Sequence, residues 1–537
     1  MSRRAGMLVP LFSLRSASGW GIGEIGDIAA AARWLQSAGL SLLQLLPINE
    51  LPIHETSPYS SLSAMAIDPQ YLTLDHVEDF AAVGGERGLE AELRANLESL
   101  RAASGVNYAG VRRLKQLALR RAYERFRDTE LRTDSARARA FHAFTEEQAW
   151  WLADYALFRA LHEKFRPAPW TEWAEGLRTH HPVAIAAARA ELADDVRYRE
   201  YLQWLASDQW HAARDAAGPV TLFGDLPFMV ALDSADVWAR QHDFRLDASL
   251  GVPPDAFSET GQDWKLPVYK WDVIAGGGFA WLRQRARRNA ELFGGYRVDH
   301  LVGFYRTFWR NLGDSTGPGW FTPADEPAQT ALGEQVLRVF RESEAEIVAE
   351  DLGVVPDFVR ASLARLAVPG CKVFRWERLW HTEGQPFADP LRYPALSVAT
   401  SGTHDTEPLV TWWENAPDDE RAAALAIPLV ADRLGPEGRH AAFESRVLLP
   451  AVRDAFIELL IASNSDLVIL PVGDVFGWPD RINTPATVND HNWTWRMPWL
   501  NERLVFEPEA VAAVKRLREW SGRYRGNRDF HDSHDRS

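Results

Sequence analysis

The stretch AEIVAE at residues 345–350 is a short apolar run that ends in a carboxylate, and GYRVD at residues 295–299 follows the same plan. Continuous apolar runs of this length are typical of parallel strands that helices cover on both faces. Six more such runs occur along the chain, most of them separated by helical patterns: residues 9–13, 41–47, 219–225, 371–376, 396–401 and 466–472. Eight strand-then-helix units predict an α/β fold of the (β/α)8 or TIM-barrel class, with helical insertions between strands.

The expected organisation is a single barrel unit over residues 1–537, although by length alone the chain could hold about two to four domains. The stretch at about 73–216, after the second predicted strand, is mostly helical in pattern. Its 3.6-residue period is strongest at residues 107–126 and 145–165. We interpret this stretch as a helical insertion subdomain.

Charge and apolar content limit the classes of partner. The chain carries 59 Lys and Arg against 74 Asp and Glu, a net charge of −15, which argues against nucleic acid and acidic membranes as partners. No run approaches the roughly 18 apolar residues that cross a bilayer. Arg3 and Arg4 precede apolar residues 7–12 as in a signal peptide, but no small-residue cleavage pattern follows, so a buried first strand is favoured. With Cys371 as the single cysteine, no internal disulfide can form, so we expect a cytoplasmic protein, with a disulfide-free exported protein as the alternative. The expected assembly is a monomer or a homodimer, and the sequence does not decide between them.

Acidic residues stand at the ends of several predicted strands. Asp225, Asp299 and Glu350 each end one, and Asp405 follows the seventh strand within SGTHDTE. In barrel enzymes, side chains at the carboxyl ends of the strands share one active site. A single acid there could be an ordinary cap or ion-pair partner, but four of them favour a common site.

A pair of carboxylates is what the retaining cleavage of a glycosidic bond requires, with one acting as nucleophile and the other as acid/base. Arg297 precedes Asp299 by two residues, so both side chains can point to the same face of a strand. A nearby guanidinium lowers the pKa of a carboxylate and keeps it charged. Glu350 ends a hydrophobic strand, which suits the raised pKa of an acid/base. This spacing alone does not name the sugar.

Seven short motifs follow one another along nearly the whole chain: GWGIGEIGD (19–27), SPYSSLSAMAIDP (57–69), GDLPFMVALDSADVW (224–238), GVPPDAFSETGQDW (251–264), YRVDH (296–300), AEDLG (349–353) and GTHD (402–405). In this order they resemble the amylomaltase or disproportionating-enzyme family of 4-α-glucanotransferases, relatives of α-amylases. The resemblance implies transfer of a segment of an α-1,4-glucan donor to a 4-hydroxyl of a glucose or maltooligosaccharide acceptor, through a covalent glucosyl-enzyme. It implies no metal and no organic cofactor.

The resemblance also implies roles for individual residues. Asp299 in YRVDH matches the nucleophile, Glu350 in AEDLG matches the general acid/base, and Asp405 in GTHD matches a third carboxylate that holds hydroxyls of the distorted sugar. Tyr59 in SPYSS matches an aromatic platform beneath that sugar. The remaining positions expected to contact the substrate are Ser57, Asp225, Gln262, Trp264, Arg297, His404 and Asn483.

Residues at about 251–270 resemble a lid loop that arches over the cleft of the family. Phe257 and Trp264 in this segment could stack on an incoming glucose and keep water away from the glycosyl-enzyme, which favours transfer over hydrolysis. Alternatively, the same aromatic residues only pin a surface loop.

The chain departs from the family pattern at several positions near the cleft. Val302 stands where an Arg is common, Lys265 and Leu266 replace a frequent Gly-Asn pair, Ala256 replaces a common Tyr, and Gly473 replaces a common Gln. These changes put acceptor preference, product size and the ratio of transfer to hydrolysis in doubt, but leave the reaction class.

Three other functions remain as alternatives. An amylase-type hydrolase is disfavoured because residues 225–233 lack the usual Asn-His pair and no calcium loop of EF-hand type occurs. A glucan-binding protein without catalysis is disfavoured by the intact Asp299, Glu350 and Asp405. A nucleotide-sugar-dependent transferase would need a phosphate-binding glycine motif, and none stands in the required context.

Overall fold

The computed structural model describes residues 3–254, 260–314, 317–485, 487 and 489–524. Its strands, in chain order, are β1 (Arg4–Leu8), β2 (Leu42–Gln44), β3 (Thr221–Leu226), β4 (Phe244–Val252), β5 (Gln262–Tyr269), β6 (Gly295–Val298), β7 (Thr307–Asn311), β8 (Trp320–Thr322), β9 (Glu346–Ala349), β10 (Gly370–Val373), β11 (Ser397–Thr400) and β12 (Leu467–Pro471). Eight of them close a parallel barrel in the order β1-β12-β11-β10-β9-β6-β3-β2. The predicted (β/α)8 barrel is therefore confirmed.

The α-helices fall into two groups, one between β2 and β3 and the other around the barrel. The first group is α2 (Glu78–Ala82), α3 (Ala91–Ala102), α4 (Tyr108–Thr129), α5 (Ala136–Glu147), α6 (Ala149–Phe165), α7 (Glu175–Arg178), α8 (Pro182–Glu191) and α9 (Ala193–Ala216). The second is α1 (Ile28–Ser37), α10 (Ala235–Ala239), α11 (Trp271–Gly276), α12 (Ala280–Leu292), α13 (Glu326–Arg341), α14 (Asp357–Arg365), α15 (Leu409–Asn415), α16 (Asp418–Leu425), α17 (Pro428–Glu444), α18 (Pro450–Ala462), α19 (Val472–Phe476) and α20 (Pro508–Tyr524). Among the described residues, none of these helices is long and apolar enough to cross a membrane.

The first barrel strand lies earlier than predicted. We predicted a strand at residues 9–13, but β1 is Arg4–Leu8, and Leu11–Ser13 form a turn of 3-10 helix. Pro10 has no N–H for a strand ladder, so the pairing with β2 ends before it. At the other end, Arg4 pairs in register with Leu467 of β12, and its guanidinium forms an ion pair with Glu346, the first residue of β9. A polar residue that finds a partner can therefore extend a strand beyond its apolar run.

The helices of residues 78–216 are built for burial on one face. In α4, the Asn107 side chain accepts a hydrogen bond of 2.9 Å from the Gly110 amide, which caps the helix start. Val111, Leu114 and Ala118 follow at helical spacing and are buried. Rings from α4, α5 and α9 interlock beneath this face: Phe126 lies 4.9 Å from Tyr201 and 5.5 Å from Phe141, centroid to centroid. That the stretch behaves as a subdomain of its own remains a prediction.

The predicted lid loop at about 251–270 is mostly strand. β4 and β5 form an antiparallel pair in a four-stranded sheet of order β5-β4-β7-β8. Gly261 has a positive φ of 71° at the entry to β5, and a Cβ at Gly251 would lie 2.0 Å from the carbonyl oxygen of Gln262, so both positions need glycine. Within β5, Lys265 is exposed, whereas the last residues, Pro267, Val268 and Tyr269, are buried. Residues 255–259, with Ala256 and Phe257, lie outside the described residues.

Candidate active site

Two carboxylates share one guanidinium at the carboxyl ends of β3 and β6. Asp225 and Arg297 are register partners on these neighbouring strands, and Arg297 Nη1 donates to Asp225 Oδ1 and Oδ2 at 2.9 and 2.8 Å. Arg297 Nη2 lies 2.8 Å from Asp299 Oδ1. The Asp225 side chain is fully enclosed, whereas that of Asp299 is 26% exposed. Asp299 is therefore the carboxylate of this pair that an incoming molecule can reach.

An aromatic wall stands beside these carboxylates. The Tyr59 hydroxyl donates to Asp225 Oδ2 at 2.7 Å and lies 3.1 Å from His404 Nε2. Its ring stacks on the His404 ring at 5.3 Å, and Trp493 packs against both rings at 5.8 and 5.6 Å. Burial raises the pKa of the Tyr59 hydroxyl well above its usual range, so Tyr59 is a neutral hydrogen-bond donor here.

Asp405 is held from two sides on the opposite edge of the site. His404 Nε2 lies 3.2 Å from Asp405 Oδ2, and Asn483 Nδ2 donates to Asp405 Oδ1 at 2.6 Å. Arg481 ties the same loop down by donating to the backbone carbonyls of Asp405 and Asn483 at 2.7 and 2.6 Å. Burial would raise the pKa of the Asp405 carboxyl, but His404 and Asn483 hold it well below its usual range. Asp405 is therefore ionised, and with 42% of its side chain exposed it is open to a ligand.

Glu350 follows β9 directly and lies beside Asp299. Val298 and Ala349 are register partners, so the next residues, Asp299 and Glu350, leave adjacent strands side by side. Backbone amides grip the Glu350 carboxylate: His300 N donates to Oε2 at 2.8 Å and Leu352 N to Oε1 at 2.9 Å. Burial raises the pKa of Glu350 to about 7, even though Arg297 opposes the rise. Such a group can hold a proton near neutral pH and release it.

The β4–β5 hairpin reaches the site through Trp264. The Trp264 ring stands edge-on to His300 at 4.9 Å, and its Nε1 donates to Gln262 Oε1 at 3.1 Å. Burial lowers the pKa of His300 to about 4, so this imidazole is neutral. A neutral indole–imidazole pair therefore borders Asp299 on the hairpin side.

The structure brings most of the predicted site residues together. Asp225, Asp299, Glu350 and Asp405 gather at one end of the barrel, within a network made up of Tyr59, Arg297, His404 and Asn483. Ser57 lies next to this network rather than in it: its Oγ accepts from the Tyr59 amide at 3.4 Å. Among the departures from the family pattern, Val302 and Leu266 pack partly buried near the hairpin, and Lys265 is exposed.

Two residues of the site were missed by the sequence analysis. Trp493 packs on Tyr59 and His404, and Arg481 holds the loop of Asp405. Both lie in the irregular stretch after α19. Arg481 stands in DRINTP at residues 480–485, two positions before the predicted Asn483, and Trp493 stands in DHNWTW at residues 490–495, which holds two Trp. Among the described residues, no group of three or more His, Cys, Asp and Glu side chains is arranged to hold a metal ion.

Comparison with known proteins gives one consistent picture. A 4-alpha-glucanotransferase of Chlamydia pneumoniae is 30% identical and covers 94% of this chain and 93% of its own length; that of Thermus thermophilus is 33% identical and covers 89% and 92%. The structure of an amylomaltase from Streptococcus agalactiae in complex with acarbose superposes with a TM-score of 0.80 at 26% identity, over 97% of this chain and 99% of that one. The sequence profile of the family described as 4-alpha-glucanotransferase matches residues 9–501. The chain therefore belongs to the 4-alpha-glucanotransferase family.

Proposed function

We propose that this enzyme, a 4-α-glucanotransferase, transfers a segment of an α-1,4-glucan to a 4-hydroxyl of glucose or a maltooligosaccharide through a covalent glucosyl-enzyme, with retention of configuration. In this proposal Asp299 is the nucleophile and Glu350 is the general acid/base. The observation that carries the proposal is the pair itself: a partly exposed carboxylate bound to a guanidinium, next to a carboxyl whose pKa is raised to about 7. When their surroundings give two neighbouring carboxyls different pKa values, the ionised one is assigned as the nucleophile and the protonated one as the acid.

The geometry supports a double displacement. Asp299 and Glu350 follow paired residues of adjacent strands, and such strands lie about 4.8 Å apart, close to the 5–5.5 Å separation of carboxyls in retaining glycosidases. In the first step, an Asp299 oxygen bonds to the anomeric carbon while the glycosidic bond breaks, and Glu350 gives its proton to the leaving 4-oxygen. In the second step, Glu350 takes the proton of the acceptor 4-hydroxyl. That oxygen bonds to the anomeric carbon, and Asp299 is released.

The neighbouring groups would hold the sugar during these steps. We assign to the ionised Asp405, fixed by His404 and Asn483, the hydroxyls of the ring that is being attacked. Tyr59 would supply the flat face beneath that ring. The enclosed Asp225 faces Arg297 and Tyr59, and we assign it the orientation of these two side chains. Gln262 and Ser57 are assigned to further glucose units of the chain.

The choice of acceptor would depend on the hairpin. Trp264, set against His300, presents an apolar face next to Asp299. Such a face can stack on an acceptor sugar and displace water, which protects the glucosyl-enzyme until a hydroxyl arrives. An amylase-type hydrolase, in which water is the acceptor, is the alternative that this arrangement disfavours.

The overall reaction can be tested with maltotriose and no other substrate. We expect the wild-type protein to yield glucose and a ladder of longer maltooligosaccharides, resolved by chromatography, and Asp299→Asn to yield none. Asp357→Asn, an exposed acid at the start of α14, serves as the matched control and should retain the ladder. If glucose and maltose appear without longer chains, the enzyme is a hydrolase.

The covalent step can be tested separately. α-Maltosyl fluoride carries a leaving group that needs no proton, so Glu350→Gln should still be glycosylated but be slow to pass the sugar on. Mass spectrometry of the quenched protein should then find a maltosyl adduct on the peptide that contains Asp299. Turnover of the fluoride without any adduct, or an adduct on another acid, would contradict the proposed mechanism.

A further inference from the structure

A second cavity lies away from the barrel mouth, between the segment that follows β2 and helices α4, α6 and α9. Its volume is about 310 Å³, at the lower end of the range for small-molecule sites. Its walls include a concentration of basic side chains: Arg112, Arg113, Lys115, Arg159, Arg166 and Arg199. We call it the arginine cavity.

The charges of the arginine cavity do not balance. Six cationic side chains line it against three carboxylates, those of Glu50, Asp68 and Glu163. This excess stands out in a chain whose net charge is −15. The Lys115 ammonium pairs at 2.6 Å with Glu24, which does not line the cavity. The remaining positive charge of the cavity therefore comes from its arginines.

The carboxylates of the cavity are already bound. Glu50 accepts from Arg159 Nε at 3.0 Å and from the Tyr155 hydroxyl. Asp68 accepts from the amides of Gln70 and Leu51 at 2.9 and 3.0 Å. Arg199 still acts on Glu50, and Arg112 on Asp68, through charge. Among the described residues, however, neither arginine donates a hydrogen bond to these acids.

Arg199 is buried, and one of its guanidinium N–H groups has no hydrogen-bond partner among the described residues. Its side chain is 9% exposed, and within the described part of the chain its Nε has no hydrogen-bond partner. Within the described residues its ion-pair partner is Glu163 at 3.9 Å, and Glu163 also pairs with Arg166, while Glu50 acts on Arg199 through charge. A buried guanidinium N–H without a partner is unfavourable, and a bound anion would satisfy it.

Two further arginines of the cavity bind no carboxylate among the described residues. Arg112 donates to the backbone carbonyls of Pro52 and Ile53 at 2.7 and 2.6 Å, and Arg113 is exposed at the rim. Residues 52–55, which Arg112 holds, lead directly to Ser57 and Tyr59 of the active site. The arginine cavity and the active site thus share one segment of chain.

We propose that the arginine cavity is a binding site for a dianionic phosphate group, either free or as the monoester of a small polyol. Guanidinium forks match the oxygens of phosphate in a bidentate way. Because Lys115 pairs with Glu24, five arginines and three carboxylates leave an excess of two positive charges, which the phosphate charge of about −1.5 to −2 offsets. The cavity has room for more than the phosphate itself, which favours a monoester. Tyr198 and Gln116 on its wall can receive the polyol part.

Isothermal titration calorimetry at low salt tests the proposal with two probes, inorganic phosphate and glycerol 3-phosphate. Glycerol 3-phosphate is chosen because it carries no glucose unit that the active site could bind. We expect binding by the wild-type protein, weakened by about tenfold or more in Arg199→Met and in Arg113→Met. Tighter binding of glycerol 3-phosphate identifies a monoester as the ligand, and equal or tighter binding of phosphate identifies the free ion.

Arg139→Met, which removes an exposed arginine of α5 outside the cavity, is the matched control and should bind as the wild type does. Arg113 is on the surface, so Arg113→Met keeps the test valid if Arg199→Met does not fold. Absence of heat with both probes at millimolar concentration overturns the proposal. Binding that both cavity variants retain, or that maltose displaces, overturns it as well.

Discussion

Two buried acids in different regions of the molecule, Asp225 and Glu50, are each bound by an arginine and a tyrosine hydroxyl. In the barrel, Asp225 is bound by Arg297 and the Tyr59 hydroxyl. Beside the helical insertion, Glu50 is bound by Arg159 and the Tyr155 hydroxyl. Both acids are enclosed, with exposures of 3% and 5%. Composition alone does not distinguish them.

The two acid–arginine–tyrosine sets differ in the second contact that each arginine makes. Arg297 extends a second nitrogen to Asp299, which is partly exposed and stands beside Glu350. Arg159 instead turns to His162 Nδ1 at 3.3 Å, and its set joins α6 to the segment after β2. A buried acid–arginine–tyrosine set is thus a structural device by itself. It becomes part of a candidate catalytic site when it supports an accessible carboxylate.

The largest expected effect concerns Glu350, the proposed general acid/base beside Asp299. Glu350→Gln should lower kcat for maltotriose by about 10² to 10⁴, the usual contribution of general acid catalysis. In the wild type, the proton of Glu350 is lost as pH rises through about 7, so kcat/KM should fall tenfold per pH unit above that value. Initial rates across the pH range measure this limb. A wild-type profile that stays flat well above pH 7 would contradict the assignment.

The same pKa bears on stability. The folded pKa of Glu350, about 7, exceeds its ordinary value of 4.5, so the folded state binds this proton more tightly than the unfolded state does. Its contribution to the free energy of unfolding is complete below pH 4.5 and is lost as pH rises through 7. Because the side chain is partly exposed, we expect well under about 3 kcal/mol. The wild type should lose more stability than Glu350→Gln between these pH values, as urea unfolding can measure.

Replacing the arginine of each set tests whether the two sets differ in function. Arg297→Met and Arg159→Met each leave a buried carboxylate without its cation, and we expect each to lose about 3–5 kcal/mol of unfolding free energy. Only Arg297→Met should also lose about 10² to 10³ in kcat, because only Arg297 contacts Asp299. Denaturant unfolding and rates on maltotriose separate the two effects. Equal losses of activity in the two variants would mean that the sets are not functionally distinct.

Paired tyrosine variants give the smallest and sharpest contrast. Tyr59→Phe and Tyr155→Phe each remove one hydroxyl from a buried acid, at about 1–3 kcal/mol of stability. Tyr59 also faces His404, so we expect kcat/KM to fall by about tenfold, or ~1.4 kcal/mol, in Tyr59→Phe alone. A comparable fall in Tyr155→Phe would show that the insertion set acts on the reaction.

Much of the barrel and its acids could be predicted because both depend on local patterns. An apolar run that ends in an acid places Asp299 and Glu350 at one face once the strands are known to be parallel. The expected lid segment proved to be a hairpin rather than a loop, because β5 mixes Trp, Lys and Pro and its pairing with β4 is not a local pattern, whereas its role as a lid remains a prediction. The place of Trp493 in the site could not be predicted, because Trp493 lies in an irregular segment and contacts Tyr59 from a distant part of the chain. The set around Glu50 escaped for the same reason.

The closure of the barrel has a kinetic consequence. β1 pairs with β12, so that Arg4 meets Leu467, and the candidate site draws on chain from Tyr59 to Asn483. Contacts of such sequence separation form slowly, because the loop entropy must be lost before they stabilise the fold. The helices between β2 and β3 need mainly nearer partners and can form earlier. During refolding, helical circular dichroism should therefore recover before activity does, and the gain of turnover marks the moment at which the last strand docks.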